Sequence, residues 1–425
     1  MLNSRDYIKI VSLHIVVSIT FFLGLYLLGI IEELPSNNNI LQWDSGWYFE
    51  IISKGYEFKP NEQSNTGFFP LFPFLWKITY GNAIFISILN YLFFIIGIYF
   101  LLKSFNKKID KKVILISLSF PSLFFMYVPY SESLFFCIAS LFIYSNYSNN
   151  RKLKLISLFL ASLTRPTIFF FLPALFFTEI LTQENIKKMV KNLMVYTSVI
   201  LIGTGLAFYI IGFNDNYFFA YSDSQINNWN HPFSLPKFPL TTWRGYRILW
   251  LDILGIWIII SSILYALNYF TQFVNRKKIE KKKKNILLSL GYLSMIFFYI
   301  LFFHPKEVTT GLTSVLSVNR YVFCTPFFFY LFYSFYTKND IKKDINILVI
   351  SAVIAVLLIG FPFYPTVGLD RIKSVIFGVV ILIFFLFQVS PKLFKTKYLF
   401  YAVYIINTLL QVYLFQSFLK GNWIG

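Results

Sequence analysis

Four charged residues stand where the sequence could use them for chemistry. Asp44 lies in the stretch QWDSGWYFEIISK, directly after Trp43 and one helical turn before Tyr48. A carboxylate there is placed to take a proton from a hydroxyl within hydrogen-bond reach, the work of a general base. The same position suits an N-cap, where the side chain accepts from free backbone N–H groups; both roles coexist only if one oxygen stays free. Glu132 (in PYSES) and Arg165 (in LTRPT) stand at turns between apolar runs. Each reads either as a group that binds a polar ligand or as the other's buried ion-pair partner, and breaking such a pair is costly in both cases. Arg320 opens another apolar run, beside Tyr321. Its guanidinium offers two parallel donors to an oxyanion, or else snorkels to an interface.

Further candidates are aromatic or basic. Gln225 and Trp229 form a Gln-x-x-x-Trp pattern, and Trp243, Arg244 and Arg247 follow in the same polar stretch. His304 and Lys306 begin the next one. Pro70 and Pro73 are expected to break a helix. The three His residues are widely separated, and the two Cys (Cys137 and Cys324) lie inside apolar runs. Neither set has metal-ligand spacing or implies a disulfide. No cofactor is indicated, and a divalent metal is left open.

The elements that must position these residues are membrane helices. Of 425 residues, 57% are hydrophobic and only 13% charged, with mean hydropathy +0.63. Soluble domains carry about 25% charged residues. Apolar runs fall near 10–31, 81–102, 113–129, 132–147, 153–164, 166–180, 192–212, 249–273, 286–303, 319–336, 345–363, 372–389 and 398–418. Helical spans need about 20 apolar residues, and the first run is too long for a signal-peptide core, so it reads as a retained anchor. The expected fold is therefore an all-α polytopic membrane protein of about 13 transmembrane helices. It forms one integral membrane domain over residues 1–425, with external loops at 32–68, 213–248 and 304–318. After Asp44 the first loop should carry a short amphipathic helix along the outer interface, ending at Gly55.

The charge orients this array. With the N-terminus in the cytoplasm, the inner side (the N-terminal segment, the alternate connections and the span ends beside them) holds 26 of the 38 Lys and Arg and 7 of the 19 acids, so the whole net charge of +19 falls inside. That is the positive-inside pattern, and the basic loops are membrane-lipid contacts rather than a nucleic-acid surface. The pattern holds if 113–147 and 151–180 are hairpins turning at Pro129-Tyr130-Ser131 and at Arg165-Pro166. Their arms reach only about 18–25 Å against a core of about 30 Å. The tips, with Glu132 and Arg165, should therefore stop short of the outer surface around an outward-open cavity.

The stretch QWDSGWYFEIISKGYEF, followed by FFPLFPFLW, resembles the PIG-V family, the GPI mannosyltransferase II-like enzymes and their prokaryotic relatives. FPSLFFMYVPYSESLFF (120–136), SLTRPTIFF (162–170), SQINNWN and NRYVFCTPFF (319–328) agree in order, so the resemblance runs from residue 42 to about 330. It implies a GT-C-type glycosyltransferase that moves a sugar, mannose by family, from a polyprenyl-phosphate donor to a lipid- or glycan-linked acceptor outside the cytoplasm, with inversion. The family's catalytic acid maps onto Asp44. Many such enzymes carry two acids together there; this chain has Asp44 followed by Ser45, which favours a lone base over a metal site. Trp43, Tyr48, Glu132, Arg165, Gln225, Trp229, Arg320 and Tyr321 become substrate-binding candidates, with Arg320 and Arg165 toward the donor phosphate. The Lys-, Ile-, Asn- and Phe-rich composition fits a prokaryotic plasma membrane, with the site on its external side, and leaves an ER membrane open. The alternatives are a polytopic transporter or flippase for lipids or lipid-linked sugars, and a non-catalytic membrane subunit.

Overall fold

A computed structural model describes residues 3–105, 109–166, 168–182, 185–241, 249–275, 279–303, 311–336, 342–358 and 397–424. Among the described residues the fold is all-α, with a single isolated β-bridge between Thr241 and Ser314. In chain order the helices are α1 (Ser4–Leu27), α2 (Asp44–Lys54), α3 (Leu71–Ile78), α4 (Ala83–Lys103), α5 (Lys111–Leu118), α6 (Glu132–Tyr147), α7 (Arg151–Ser162), α8 (Ile168–Thr182), α9 (Ile186–Gly212), α10 (Ala220–Asp223), α11 (Leu249–Val274), α12 (Lys284–Phe303), α13 (Val318–Phe323), α14 (Pro326–Tyr336), α15 (Lys342–Leu358) and α16 (Lys397–Leu419). Six of them, α1, α4, α9, α11, α12 and α16, contain apolar stretches long enough to cross a membrane. The chain is an integral membrane protein of the all-α class.

Local sequence explains where many of these helices begin. Asn82, Asp110, Asn150 and Asn185 stand at the N-caps of α4, α5, α7 and α9, each accepting a backbone N–H from the first turn. A short polar side chain there satisfies a donor that has no intrahelical partner. The helices then pack by small residues. A Cβ on Gly97 of α4 would lie 2.6 Å from the Phe136 ring of α6, and one on Gly255 of α11 would lie 2.5 Å from Val318 at the start of α13.

Not every expected run is a continuous helix. The run 113–129 ends as α5 at Leu118 and continues as a 3₁₀ segment, Pro121–Met126; 319–336 is split into α13 and α14. Both interruptions precede a proline, Pro121 and Pro326, which drives the residue before it out of helical geometry; Phe120 sits at φ −59°, ψ 128°. The expected run 372–389 falls outside the described residues. Pro70 and Pro73 break nothing: Pro70 precedes α3 and Pro73 sits in its first turn, where a missing N–H costs little.

Interrupted backbone at membrane depth survives only if other groups satisfy it. Gln411 of α16 donates its side-chain amide to the carbonyls of Leu118 (3.3 Å) and Phe120 (3.2 Å), and the Cys324 thiol lies 3.5 Å from the Ser122 carbonyl. The α1–α16 contact that brings Gln411 there is held by His14 Nδ1 against the Tyr404 hydroxyl at 3.0 Å.

Polar contacts sort to two ends of the bundle. At one end Lys111 meets Asp6 at 3.3 Å, Lys284 pairs with buried Glu179, and Asn146 donates to Asn285 at 2.9 Å. The Lys103 and Lys112 ammoniums lie over the Tyr99 and Phe400 rings at the same end. Asp44, Glu132, Arg165 and Arg320 gather at the opposite end, where Lys420 also meets Glu32 at 2.7 Å. Replacing Gln411 by Leu strands two carbonyls in apolar surroundings. The expected cost is about 1–3 kcal/mol, read as a lower melting temperature of the purified protein in detergent; an unchanged transition would show that the carbonyls are satisfied otherwise.

Candidate functional site

The amphipathic helix α2 forms as expected and buries Ser45, Tyr48 and Ile51; Gly55 ends it at φ +87°. Its N-cap, however, is Trp43, at φ +55°, and no side chain caps the helix. Asp44 is the first helical residue, so its carboxylate is not spent on capping. Glu50 pairs with Lys54 at 3.8 Å. One turn beyond Asp44, the Tyr48 hydroxyl donates to Ser131 Oγ at 2.9 Å. Burial and the neighbouring Glu132 carboxylate raise the Tyr48 phenol well above its ordinary pKa, which keeps it a neutral donor.

Ser131 is the residue before α6, whose first residue is Glu132. The turn leading to it is held by Asn90 of α4, which donates to the carbonyls of Val128 (2.6 Å) and Tyr130 (2.8 Å). Tyr130 in turn donates to the Gln42 carbonyl at 3.3 Å. The α2 entrance and the α5–α6 tip are thereby tied to each other. Arg165 lies in the α7–α8 turn, and Leu71 N–H of α3 donates to the Leu163 carbonyl there at 2.9 Å. Arg320 lies in the six-residue helix α13, which Asn319 anchors by donating to Asp252 of α11 at 3.1 Å.

These four elements bring the four charges into one alternating chain. Asp44 Oδ2 is 2.9 Å from Arg320 Nη1; Arg320 Nε is 2.9 Å from Glu132 Oε1; the same oxygen is 2.6 Å from Arg165 Nη1. Side-chain exposure runs 20%, 7%, 2% and 11% from Asp44 to Arg165, so Asp44 is the most accessible member. Arg320 faces inward and does not snorkel. Rings of Tyr130, Phe125, Tyr321 and Trp423 surround its guanidinium carbon at 5.3 to 5.9 Å, a cation–π setting. The ion pairs are close but poorly aligned: Glu132 Oε1 and Arg320 Nε and Nη1 are buried with no aligned hydrogen bond among the described residues. Asp44 Oδ1 has no hydrogen-bond partner among the described residues.

The other sequence candidates divide. Trp43 and Tyr321 flank the chain of charges, and Tyr321 meets Tyr299 edge-on at 6.1 Å. Gln225 and Trp229 do not join it. Gln225 Nε2 donates to the Gly67 carbonyl (3.1 Å) and Trp229 Nε1 to the Ser64 carbonyl (3.3 Å), so both side-chain donors clasp the first loop. Trp229 also meets Trp47 and Phe68 edge-on. Trp243, Arg244, Arg247, His304 and Lys306 lie outside the described residues. Sequence reasoning missed Trp423, which packs edge-on against Trp43 at 5.0 Å, and Asp252, a carboxylate inside an apolar run. An acid within a membrane span is a signal in itself.

The arrangement combines one accessible carboxylate with two guanidiniums that share a buried acid. It can accept a proton at Asp44 and stabilise an anion at Arg320 and Arg165. Among the described residues no group of three or more His, Cys, Asp or Glu side chains is placed to hold a metal ion. Replacing Glu132 by Gln leaves the two guanidiniums facing each other, at an expected cost of about 3–5 kcal/mol. Adding Arg165→Met in the same chain should recover part of that loss, as a double-mutant cycle of melting transitions will show; strictly additive losses would mean the pair is not coupled. No family model, no curated protein and no solved structure matches the chain.

Proposed function

We propose that the protein is a GT-C-type glycosyltransferase that moves a sugar, mannose by its family resemblance, from a polyprenyl-phosphate donor to a lipid- or glycan-linked acceptor. The observation that carries this reading is the Asp44–Arg320 pair. An accessible carboxylate with an unengaged oxygen stands 2.9 Å from a buried guanidinium, at one end of an apolar helical bundle. A general base and an anion holder side by side are what transfer from a phosphate-linked sugar requires.

In the proposed step the acceptor oxygen attacks the anomeric carbon from the side opposite the phosphate, and its proton passes to Asp44 Oδ1. The bond from the anomeric carbon to the phosphate oxygen breaks with inversion, and polyprenyl phosphate leaves with the electron pair. Arg320, backed by Arg165, stabilises the charge that grows on that oxygen. Glu132 holds both guanidiniums in place. The donor carries its own activated bond, so no nucleotide, cofactor or further co-reactant enters the balance.

The same reading proposes about 13 membrane passes, a cytoplasmic N-terminus and a site on the external face of a prokaryotic plasma membrane. The basic end around Lys111 and Lys284 supports that orientation. Membrane lipids are then partners of the basic loops, and nucleic acid is not.

Purified protein in lipid, supplied with radiolabelled polyprenyl-phosphate mannose and crude membrane acceptors, should transfer label. Asp44→Asn and Asp44→Ala should each lower the rate by about 10²- to 10⁴-fold, the range for a general base. Transfer at the unmutated rate in both variants would remove Asp44 as the base. Unmutated protein that transfers none of several lipid-linked sugars yet carries them between leaflets would favour the flippase alternative.

A further inference from the structure

Beyond α16 the chain turns back across the site. Gly421, at φ +74°, makes the turn, and Lys420 is held to Glu32 at 2.7 Å. This brings Trp423 over Arg320, with the guanidinium carbon 5.9 Å from its ring, and against Trp43 at 5.0 Å and 76°. Two indoles therefore form a corner next to the Asp44 carboxylate. The indole Nε1–H of Trp423 is buried and has no hydrogen-bond partner among the described residues. It is a donor with no acceptor role, and a buried donor left without a partner is unfavourable. An incoming acceptor oxygen would satisfy it.

We propose that Trp423 is a sugar-binding residue of this site: its Nε1–H donates to a hydroxyl oxygen of the transferred pyranose while the Trp43–Trp423 corner covers the sugar's apolar C–H face. This rests on the glycosyltransferase reading. A pyranose matches the corner because it presents both surfaces at once, an apolar face and a rim of acceptor oxygens. A phosphate oxygen is the competing acceptor, given the adjacent Arg320, and the test separates the two.

The unmutated protein, Trp423→Phe and Trp423→His, each in lipid nanodiscs, are titrated with polyprenyl-phosphate mannose and with bare polyprenyl phosphate. Phe keeps a buried ring but loses the donor, so it should weaken the sugar lipid by about tenfold, one hydrogen bond's worth, and leave the bare lipid unchanged. His keeps a ring donor and should restore part of the affinity. Equal affinity of Trp423→Phe and the unmutated protein for the sugar lipid would overturn the proposal, as would an equal loss for both lipids, which would place the indole on the phosphate. In unmutated protein labelled with ¹⁵N-tryptophan, the sugar lipid should shift an indole signal that the bare lipid leaves in place; no such signal would also overturn it, whether or not the variants fold. Unmutated protein that binds neither lipid would sink the glycosyltransferase reading, and this inference with it, a result distinct from loss of Trp423's role alone.

Discussion

Charge in an apolar medium must be neutralised locally, and the end of the bundle that holds Asp44 is organised by that requirement. Moving one ion from water into a protein interior costs several kcal/mol even after relaxation. Four such groups are tolerable because their signs alternate and their sum is zero. Each sits on a different element: α2, α6, the α7–α8 turn and α13. No pair of elements completes the chain, so the position of each is fixed by the demand that all four meet. Tyr48, Asn90 and Asp252 serve this end by holding the elements, not the charges.

The same rule applied to the backbone accounts for the irregular helices. A short 3₁₀ segment and a split α13–α14 would be unfavourable in a hydrocarbon environment without Gln411 and Cys324 nearby. In exchange, the interruptions let the chain turn within the bundle. They release Phe125 and Tyr130 to line Arg320, and they leave Arg320 on a six-residue helix whose side chain faces inward. A continuous span over 319–336 would tie the direction of Arg320 to the axis of a long helix.

Much of this was legible in the sequence. Hydropathy located the runs and the two hairpin turns, and Glu132, Arg165, Asp44 and Arg320 stood out because charge is scarce there. The breaks were harder to see: hydropathy averages across Pro121 and Pro326, although each proline marks its break by a local steric rule. Asp44 could be read as cap or as base, and a left-handed Trp43 takes the N-cap position and moves Asp44 into the first turn, which propensity does not foresee. Gln225 and Trp229 became substrate candidates through the Gln-x-x-x-Trp pattern, and only three-dimensional contact reveals that their side-chain donors meet carbonyls 158 and 165 residues away. Trp423 carries no local signal, since its place depends on a turn made after the last long helix.

The clasp made by Gln225 and Trp229 has a mechanical consequence. A Cβ on Gly67 would lie 2.6 Å from Trp229 Nε1, so the two loops touch without slack. Asn228 and Asn214 add stitches to the Lys59 and Tyr56 carbonyls, and Asp215 accepts from Phe58 N–H. Loops so sewn cannot open like separate flaps; they form a single stiff roof joined to α2. Any widening above Asp44 must then tilt this roof as a rigid plate, carrying the carboxylate with it. Access to the site and the placement of its most exposed acid become one degree of freedom.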